Sequence, residues 1–327
     1  MAQIVVENLV KTFKVGRRQA GLWNALKGVA RREYTTVRAL DGVSFSLEPG
    51  ELVGYIGPNG AGKSTTVKVL GGIMVPDSGR CEVMGLVPWK ARMAHVARIG
   101  VVFGQRCQLM WDLPAADSFD LLRDIYRVPA AVHRKKRDML VERLRLAELL
   151  TVPVRQLSLG QRMRCDLAAS LLHAPPLLFL DEPTIGLDAV SKLAVREFVR
   201  DLNRENGVTV ILTTHDMDDI EALCSRVIMI GRGQILFDGT LEKLRSCIPM
   251  ERRLVVNGVA GEVALDIAGV RQVTREGDRL SLHFDPDRIP PADLIAQLSR
   301  QFLVRDFLVE NQPIEETVAR LYAEWRL

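Results

Sequence analysis

The sequence predicts an α/β fold: a mostly parallel sheet with helices on both faces. Two observations carry this prediction. The run Gly57-Pro58-Asn59-Gly60-Ala61-Gly62-Lys63-Ser64-Thr65 fits the phosphate-loop pattern G-x-x-x-x-G-K-[ST], between a short apolar strand at 52–56 and a helical stretch at 64–74. Further on, strand and helix alternate: an apolar strand at 177–180, a helix at 189–203, a strand at 208–212. Such alternation builds parallel sheets, and sites in them form at the carboxyl ends of the strands. Lys63, Asp181, Glu182 and His215 each follow such an end, so they can converge.

The loop's residue types suit a triphosphate. Glycines let the backbone wrap closely with its N–H groups pointing inward, and the following helix N-terminus adds partial positive charge. Lys63 is expected to bridge the β- and γ-phosphates, and the Ser64 hydroxyl to sit on Mg²⁺. Asp181 and Glu182 end a buried apolar strand, where two adjacent acids are costly unless they serve charge chemistry or metal binding.

At 327 residues the chain has room for one large domain or a domain with a smaller companion. Hydrophobic residues make up 47%, enough for a full core, and a net charge of +4 is too mild to argue for nucleic acid. The five cysteines lie far apart with no C-x-x-C pair, which argues against a disulfide framework or zinc site and suits a reducing cytosol. The N-terminus has no signal-peptide pattern, and the longest apolar stretch, 167–180, is broken by His173 and Pro175-Pro176. The expectation is a soluble chain that reaches a membrane only through partners.

Taken in order, a first strand is predicted at 4–9 and a second, with period-two alternation, at 43–47. Between them lies a long connection, 14–38. From Lys11 to Arg38 there are eight Lys and Arg against one acid, Glu33, and Leu22, Trp23, Leu26 and Val29 are spaced roughly as one helical face. Such a segment fits an anionic membrane surface or a partner helix, or equally a solvated loop packed on its own domain. After the phosphate loop come strands at 81–84 and 99–103, then helices at 117–126 and 130–150. The basic run 134–137 reads as a solvated face. A helix opens at Ser158, a plausible N-cap, and runs to about 173. Two short strands and a helix close this unit near Ser246. Residues 251–327 change texture to short strands, proline-rich turns and two helices, a small α+β appendix.

Together these residues resemble the nucleotide-binding subunit of an ATP-binding cassette (ABC) transporter, over residues 2–246. The resemblance implies a RecA-like P-loop core with an antiparallel β subdomain and a helical subdomain at about 108–165. It makes Gly57 to Thr65 the Walker A loop, Gln105 the Q-loop glutamine on Mg²⁺ and the attacking water, and Ser158, Gly160 and Gln161 part of the signature loop. Asp181 becomes the Mg²⁺-holding Walker B aspartate, Glu182 the general base, Asp188 the D-loop aspartate and His215 the switch histidine near the γ-phosphate. Phe13 matches the aromatic that stacks on adenine, with Tyr34 as the alternative. Two stretches depart from the family pattern: Leu159 stands where glycine is usual in the signature, and the D-loop reads Ile185-Gly186-Leu187-Asp188 rather than S-A-L-D.

The resemblance implies an ATP-hydrolysing subunit, with ATP and Mg²⁺, that closes head to tail with a second cassette and drives separate membrane permeases from the cytoplasmic side. The tail 313–322 is similar to that of exporter ATPases paired with six-helix permeases. The stretch Leu109-Met110-Trp111-Asp112-Leu113-Pro114 is the expected permease contact, with Trp111 either a docking anchor or a local core residue. Two other functions fit less well. Soluble ABC ATPases acting on ribosomes or DNA usually carry two cassettes or a long coiled coil, which this chain lacks. An importer cassette is not excluded by the appendix.

Overall fold

The computed structural model describes residues 2–16, 34–104, 106–247, 252–257, 267–301, 306–311 and 314–324. Two compact units divide the chain, Met1–Leu241 and Glu242–Leu327.

The first unit opens with β1 (Ile4–Gly16), β2 (Tyr34–Leu47) and β3 (Leu52–Ile56), then α1 (Lys63–Leu70) and β4 (Ser78–Val83). After α2 (Arg92–Val96) and β5 (Ile99–Phe103) come α3 (Ala115–Ile125), α4 (Ala130–Arg143) and α5 (Leu159–Leu171). It continues with β6 (Leu177–Asp181), α6 (Ala189–Asn206), β7 (Thr209–Thr214), α7 (Met217–Leu223), β8 (Arg226–Gly231) and β9 (Gln234–Thr240). The main sheet has the order β5-β6-β7-β3-β8-β9, parallel except for β9. A second sheet, β2-β1-β4, is antiparallel.

These two sheets share one core. Ile4, Val6, Leu9, Val43, Leu47 and Val83 from the small sheet pack with Val53, Tyr55, Leu177, Phe179 and Ile228 from the large one, and with Val67 and Leu70 of α1. Fully burying each such side chain stabilises the fold by about 1.5–3 kcal/mol. The packing holds the phosphate loop between the sheets. Buried Tyr55 on β3 shares a 3.1 Å hydrogen bond with Thr66 of α1. Burial pushes the Tyr55 phenol well above its ordinary range.

Several predicted elements change length. The first two strands run on past their apolar cores, Phe13 pairing with Val37 and Gly16 with Tyr34. The connection predicted at 14–38 is therefore shorter, because ladder hydrogen bonds carry residues such as Lys14, Thr35 and Thr36 that show no apolar alternation. Residues 17–33, with the proposed helical face of Leu22, Trp23, Leu26 and Val29, lie outside the described residues. The helix predicted at 130–150 stops at Arg143, because Arg145 takes a left-handed conformation at φ 52°. A short 3₁₀ turn at Ala147–Leu149 follows.

A short helix, α8 (Leu241–Ser246), lies at the division between the units. The second unit contains β10 (Arg252–Asn257), β11 (Val270–Glu276), β12 (Arg279–Phe284), α9 (Pro291–Gln301), β13 (Asp306–Asn311) and α10 (Ile314–Glu324). Its sheet, β11-β12-β10-β13, is antiparallel throughout, and Leu254, Val256, Leu282 and Phe284 pack with Leu294 and Leu298 of α9. Among the described residues, no helix is long and apolar enough to cross a membrane.

His173, just after α5, stacks on Tyr126 at 3.9 Å and donates from Nε2 to the Ile99 carbonyl at 2.9 Å. Burial holds its imidazole below the ordinary 6.5. The unfolded chain therefore binds this proton more readily. Stability from the neutral ring is complete above pH 6.5 and is lost as pH falls through the lower folded value. Asp166, pushed up to about 6 by burial, acts in the opposite sense, so a difference measurement is needed. His173→Phe keeps the stacking and removes the titration. Its unfolding free energy should drop by about 0.5–1.5 kcal/mol at pH 8 for the lost hydrogen bond. The gap to wild type should narrow at pH 5.5. A gap that stays constant in denaturant titrations at both values would contradict the buried-neutral assignment.

Candidate functional site

The phosphate loop leaves β3 at Ile56 and enters α1 at Lys63. Its glycines are required by space as much as by conformation. Gly62 has φ 118°, and a Cβ there would lie 2.5 Å from the Ala39 carbonyl oxygen. Ala39 is left out of the β1–β2 register between Leu40 and Arg38, so the bulge presses on the loop. The loop is also stapled to the β8–β9 turn, where Gly233 N donates to the Ala61 carbonyl at 2.9 Å. Lys63 is 6% exposed, and its Nζ donates to the Gly57 carbonyl at 2.5 Å and the Pro58 carbonyl at 3.3 Å. Burial lowers its ammonium pKa, and the charges of Glu182 and Asp181 oppose that shift.

Strand register brings the acids to the same level. Asp181 pairs with Phe103 on one side and Thr213 on the other, all at the carboxyl ends of parallel strands. Its Oδ1 accepts from the Thr213 hydroxyl and, at 3.4 Å, from the Ser64 hydroxyl. Glu182 takes φ 55°, a conformation that costs a non-glycine residue of order 1–3 kcal/mol. Its backbone N donates to the Thr213 carbonyl at 2.9 Å, and its Oε2 lies 2.9 Å from His215 Nδ1. Gly104 admits this chain: its N donates to the Asp181 carbonyl at 2.7 Å, and a Cβ there would collide with the Glu182 carbonyl.

These side chains line one cavity of about 670 Å³, with Gly57, Pro58, Asn59, Ser64, Asp181, Glu182 and His215 in its wall. A smaller pocket of about 170 Å³ continues along the loop to Gly60, Gly62, Lys63 and Thr65. Gln105 lies outside the described residues, although its neighbours Gly104 and Arg106 line the larger cavity. Phe13 and Tyr34 line neither. Phe13 is partly buried on β1 with Lys11 Nζ 5.9 Å from its ring centre, and Tyr34 is exposed at the end of β2. Sequence reasoning gave no role to Thr213 or to Arg106. The threonine sits in the Thr213-Thr214-His215-Asp216 run, but only the strand register reveals its bond to Asp181.

Ser158, Gly160, Gln161 and Asp188 also stay away from this cavity. Ser158 and Gln161 form a reciprocal capping box on α5, at 2.9 and 3.2 Å. Asp188 caps α6 through Ser191 N at 2.9 Å and Ser191 Oγ at 2.7 Å, and these bonds lower its carboxyl pKa. Gly160 packs on that cap, where a Cβ would lie 2.5 Å from Ser191 Oγ. The two departures from the family pattern meet here: a Cβ on Gly186 would lie 2.9 Å from Leu159 Cδ2. The larger residue in the signature loop is accommodated by the smaller one in the D-loop. Leu159 and Gly186 also line a second cavity of about 470 Å³ with Arg106, Trp111, Arg162 and Asp166.

Comparison with known proteins agrees with this geometry. A family model described as ABC transporter matches residues 40–185. The chain is 37% identical over 239 residues to the daunorubicin resistance ATP-binding protein DrrA3 of Streptomyces coeruleorubidus, covering 73% of this chain and 75% of that one. It is 31% identical over 290 residues to a Nod factor export ATP-binding protein I of Paraburkholderia xenovorans, covering 87% and 86%. Among solved structures, a dimeric ATP-binding cassette in a post-hydrolysis state with ADP and Pi superposes with a TM-score of 0.61 at 26% identity, over 73% of this chain and 98% of that one. The chain belongs to the ABC transporter family and is one of its ATP-hydrolysing cassettes.

The Leu159–Gly186 contact is open to a double-mutant cycle. Gly186→Ala alone must accommodate both φ +69° and the Leu159 side chain. In a Leu159→Gly background only the backbone strain remains. The second step should therefore be less destabilising than the first, with a coupling of about 0.5–3 kcal/mol in thermal or chemical unfolding. Additive effects would show that the two residues are independent.

Proposed function

We propose that this chain is the ATPase of a multi-subunit exporter, bound at the cytoplasmic face of a membrane through separate permease subunits. The observation that carries the reading is the convergence of Ser64, Asp181, Glu182 and His215 on one cavity at the strand ends, with Lys63 in the smaller pocket that continues from it. The names of the relatives, resistance and export proteins, support export over import or action on ribosomes.

In this reading the loop N–H groups and the start of α1 hold the phosphates of ATP, and Lys63 bridges the β and γ groups. Ser64 and Asp181 present hard oxygens 3.4 Å apart, a donor set that fits Mg²⁺, which would neutralise phosphate charge. Glu182 takes the proton from the attacking water while the bond from the γ-phosphorus to its bridging oxygen breaks. His215, hydrogen-bonded to Glu182, holds the γ-phosphate side of the cavity. Ser158, Gly160, Gln161 and Asp188 serve the nucleotide of a second cassette packed head to tail, which accounts for their distance from this chain's own loop. Gln105 links the cavity to the permease, and Phe13, or Tyr34 in its place, stacks on adenine.

The permease contact is assigned to 109–114 beside the second cavity. Trp111 is half exposed, so it is not a core residue, and Arg162 covers its ring at 4.9 Å. Arg155 steadies this stretch, its N donating to the Trp111 carbonyl at 3.0 Å and its guanidinium to Asp112 at 2.5 Å. The second unit is assigned an accessory role beside the cassette.

Affinity purification of the tagged chain from membranes tests this. An integral permease should co-purify, and Trp111→Ala should reduce its recovery. Lys63→Ala should leave recovery intact while weakening ATP binding by about 1.5–3 kcal/mol and abolishing turnover. Recovery with ribosomes or DNA and no integral membrane protein would overturn the assignment.

A further inference from the structure

A buried carboxylate lies behind the Glu182–His215 pair. Asp219, on the first turn of α7, has no exposed surface. Its Oδ2 accepts hydrogen bonds from two hydroxyls, Thr184 Oγ1 and, at 3.3 Å, Thr214 Oγ1. Its Oδ1 accepts from Arg196 Nε at 2.5 Å. Thr184 stands two residues after Glu182, Thr214 one residue before His215, and both are buried. Arg196 belongs to α6, the helix that Asp188 caps. One carboxylate thus ties together the three segments that carry the base, the switch histidine and the D-loop.

The neighbouring Asp216 reinforces this tie. It meets Lys192 at 2.5 Å and Arg196 at 3.5 Å, and its backbone N donates to Thr214 Oγ1 at 3.0 Å. Burial pushes its carboxyl up, but the Lys192 hydrogen bond and the two cations outweigh that and hold it below the ordinary value. Partly buried ion pairs like these add little net stability, since apolar residues of similar volume often serve the fold as well or better. What the network supplies is geometry. Glu182 sits in a left-handed conformation, and such strain persists only where the surroundings over-determine it.

We propose that Asp219 is a positioning residue for hydrolysis. By holding Thr184 and Thr214 on one oxygen, it fixes the Glu182 carboxylate and the His215 ring at hydrogen-bond distance. Through Arg196 it ties that pair to the helix that follows the D-loop. The inference rests on Glu182 being the general base.

The test is steady-state ATPase kinetics of the full chain. Thr184→Val keeps the shape and removes the hydroxyl that holds Asp219, and Thr184→Ser restores a hydroxyl. A misplacement near 1 Å can cost about 100-fold in rate, so kcat of Thr184→Val should fall by about 10- to 100-fold. KM for ATP should stay within about twofold because the phosphate loop is untouched. Thr184→Ser should return kcat to near the wild-type value. If Thr184→Val does not fold, Thr214→Val cuts the other hydroxyl and carries the same expectation. Glu182→Gln, measured alongside, separates the two claims. Normal turnover in Glu182→Gln brings down the base assignment and the positioning role with it. Loss of turnover in Glu182→Gln with unchanged kcat in folded Thr184→Val overturns the positioning role alone. A rise in KM at constant kcat also overturns it.

Discussion

Two adjacent carboxylates at the end of β6, facing a buried ammonium, are the constraint on which the rest of the site depends. Asp181 and Glu182 are next to each other in the chain but do not share an environment. Asp181 remains in the parallel ladder, and its side chain is held by Thr213 and Ser64. Glu182 leaves the ladder at φ 55° and turns its carboxylate to His215. The chain therefore presents one acid to the phosphate loop and the other to His215. That separation lets neighbouring carboxylates do different work.

The separation is maintained by elements packed around the two acids and the phosphate loop. Gly104 lets β5 close against the Asp181–Glu182 backbone, because any side chain there would collide with the Glu182 carbonyl. The small antiparallel sheet presses its Ala39 bulge on Gly62, fixing the loop's height relative to the acids. Lys63 is buried among carbonyl groups, and the nearby carboxylates partly offset the cost of its charge. The second cavity shares Gly104, Arg106 and Ile185 with the first, so these residues form a wall between the first cavity and the one that Trp111 lines.

The parts of this arrangement that were legible in the sequence are those with local physical causes. The phosphate loop shows its glycines and its lysine, the apolar run 177–180 marks a buried strand, and Ser158 reads as a helix N-cap. The extension of β1 and β2 was hidden, because a polar, basic ladder has no apolar period to read. The end of α4 was hidden because its cause is one arginine in a left-handed conformation, which composition does not signal. The departures Leu159 and Gly186 were each visible but unexplained in isolation. Their contact is tertiary, across 27 residues of chain, and only the fold makes them one feature.

The division of labour between the two acids is tested most directly by measuring ATP affinity and turnover against Mg²⁺ concentration in Glu182→Gln and Asp181→Asn. Glu182→Gln should lose about 10²–10⁴-fold in hydrolysis rate while keeping or gaining ATP affinity, since it loses a base and a negative charge near the γ-phosphate. An ATP-bound dimer should then accumulate on size exclusion. Asp181→Asn should need more Mg²⁺ to bind ATP at all. Equal losses of ATP affinity in the two variants would mean that both carboxylates share one metal-binding role, and would contradict the separation of Asp181 from Glu182.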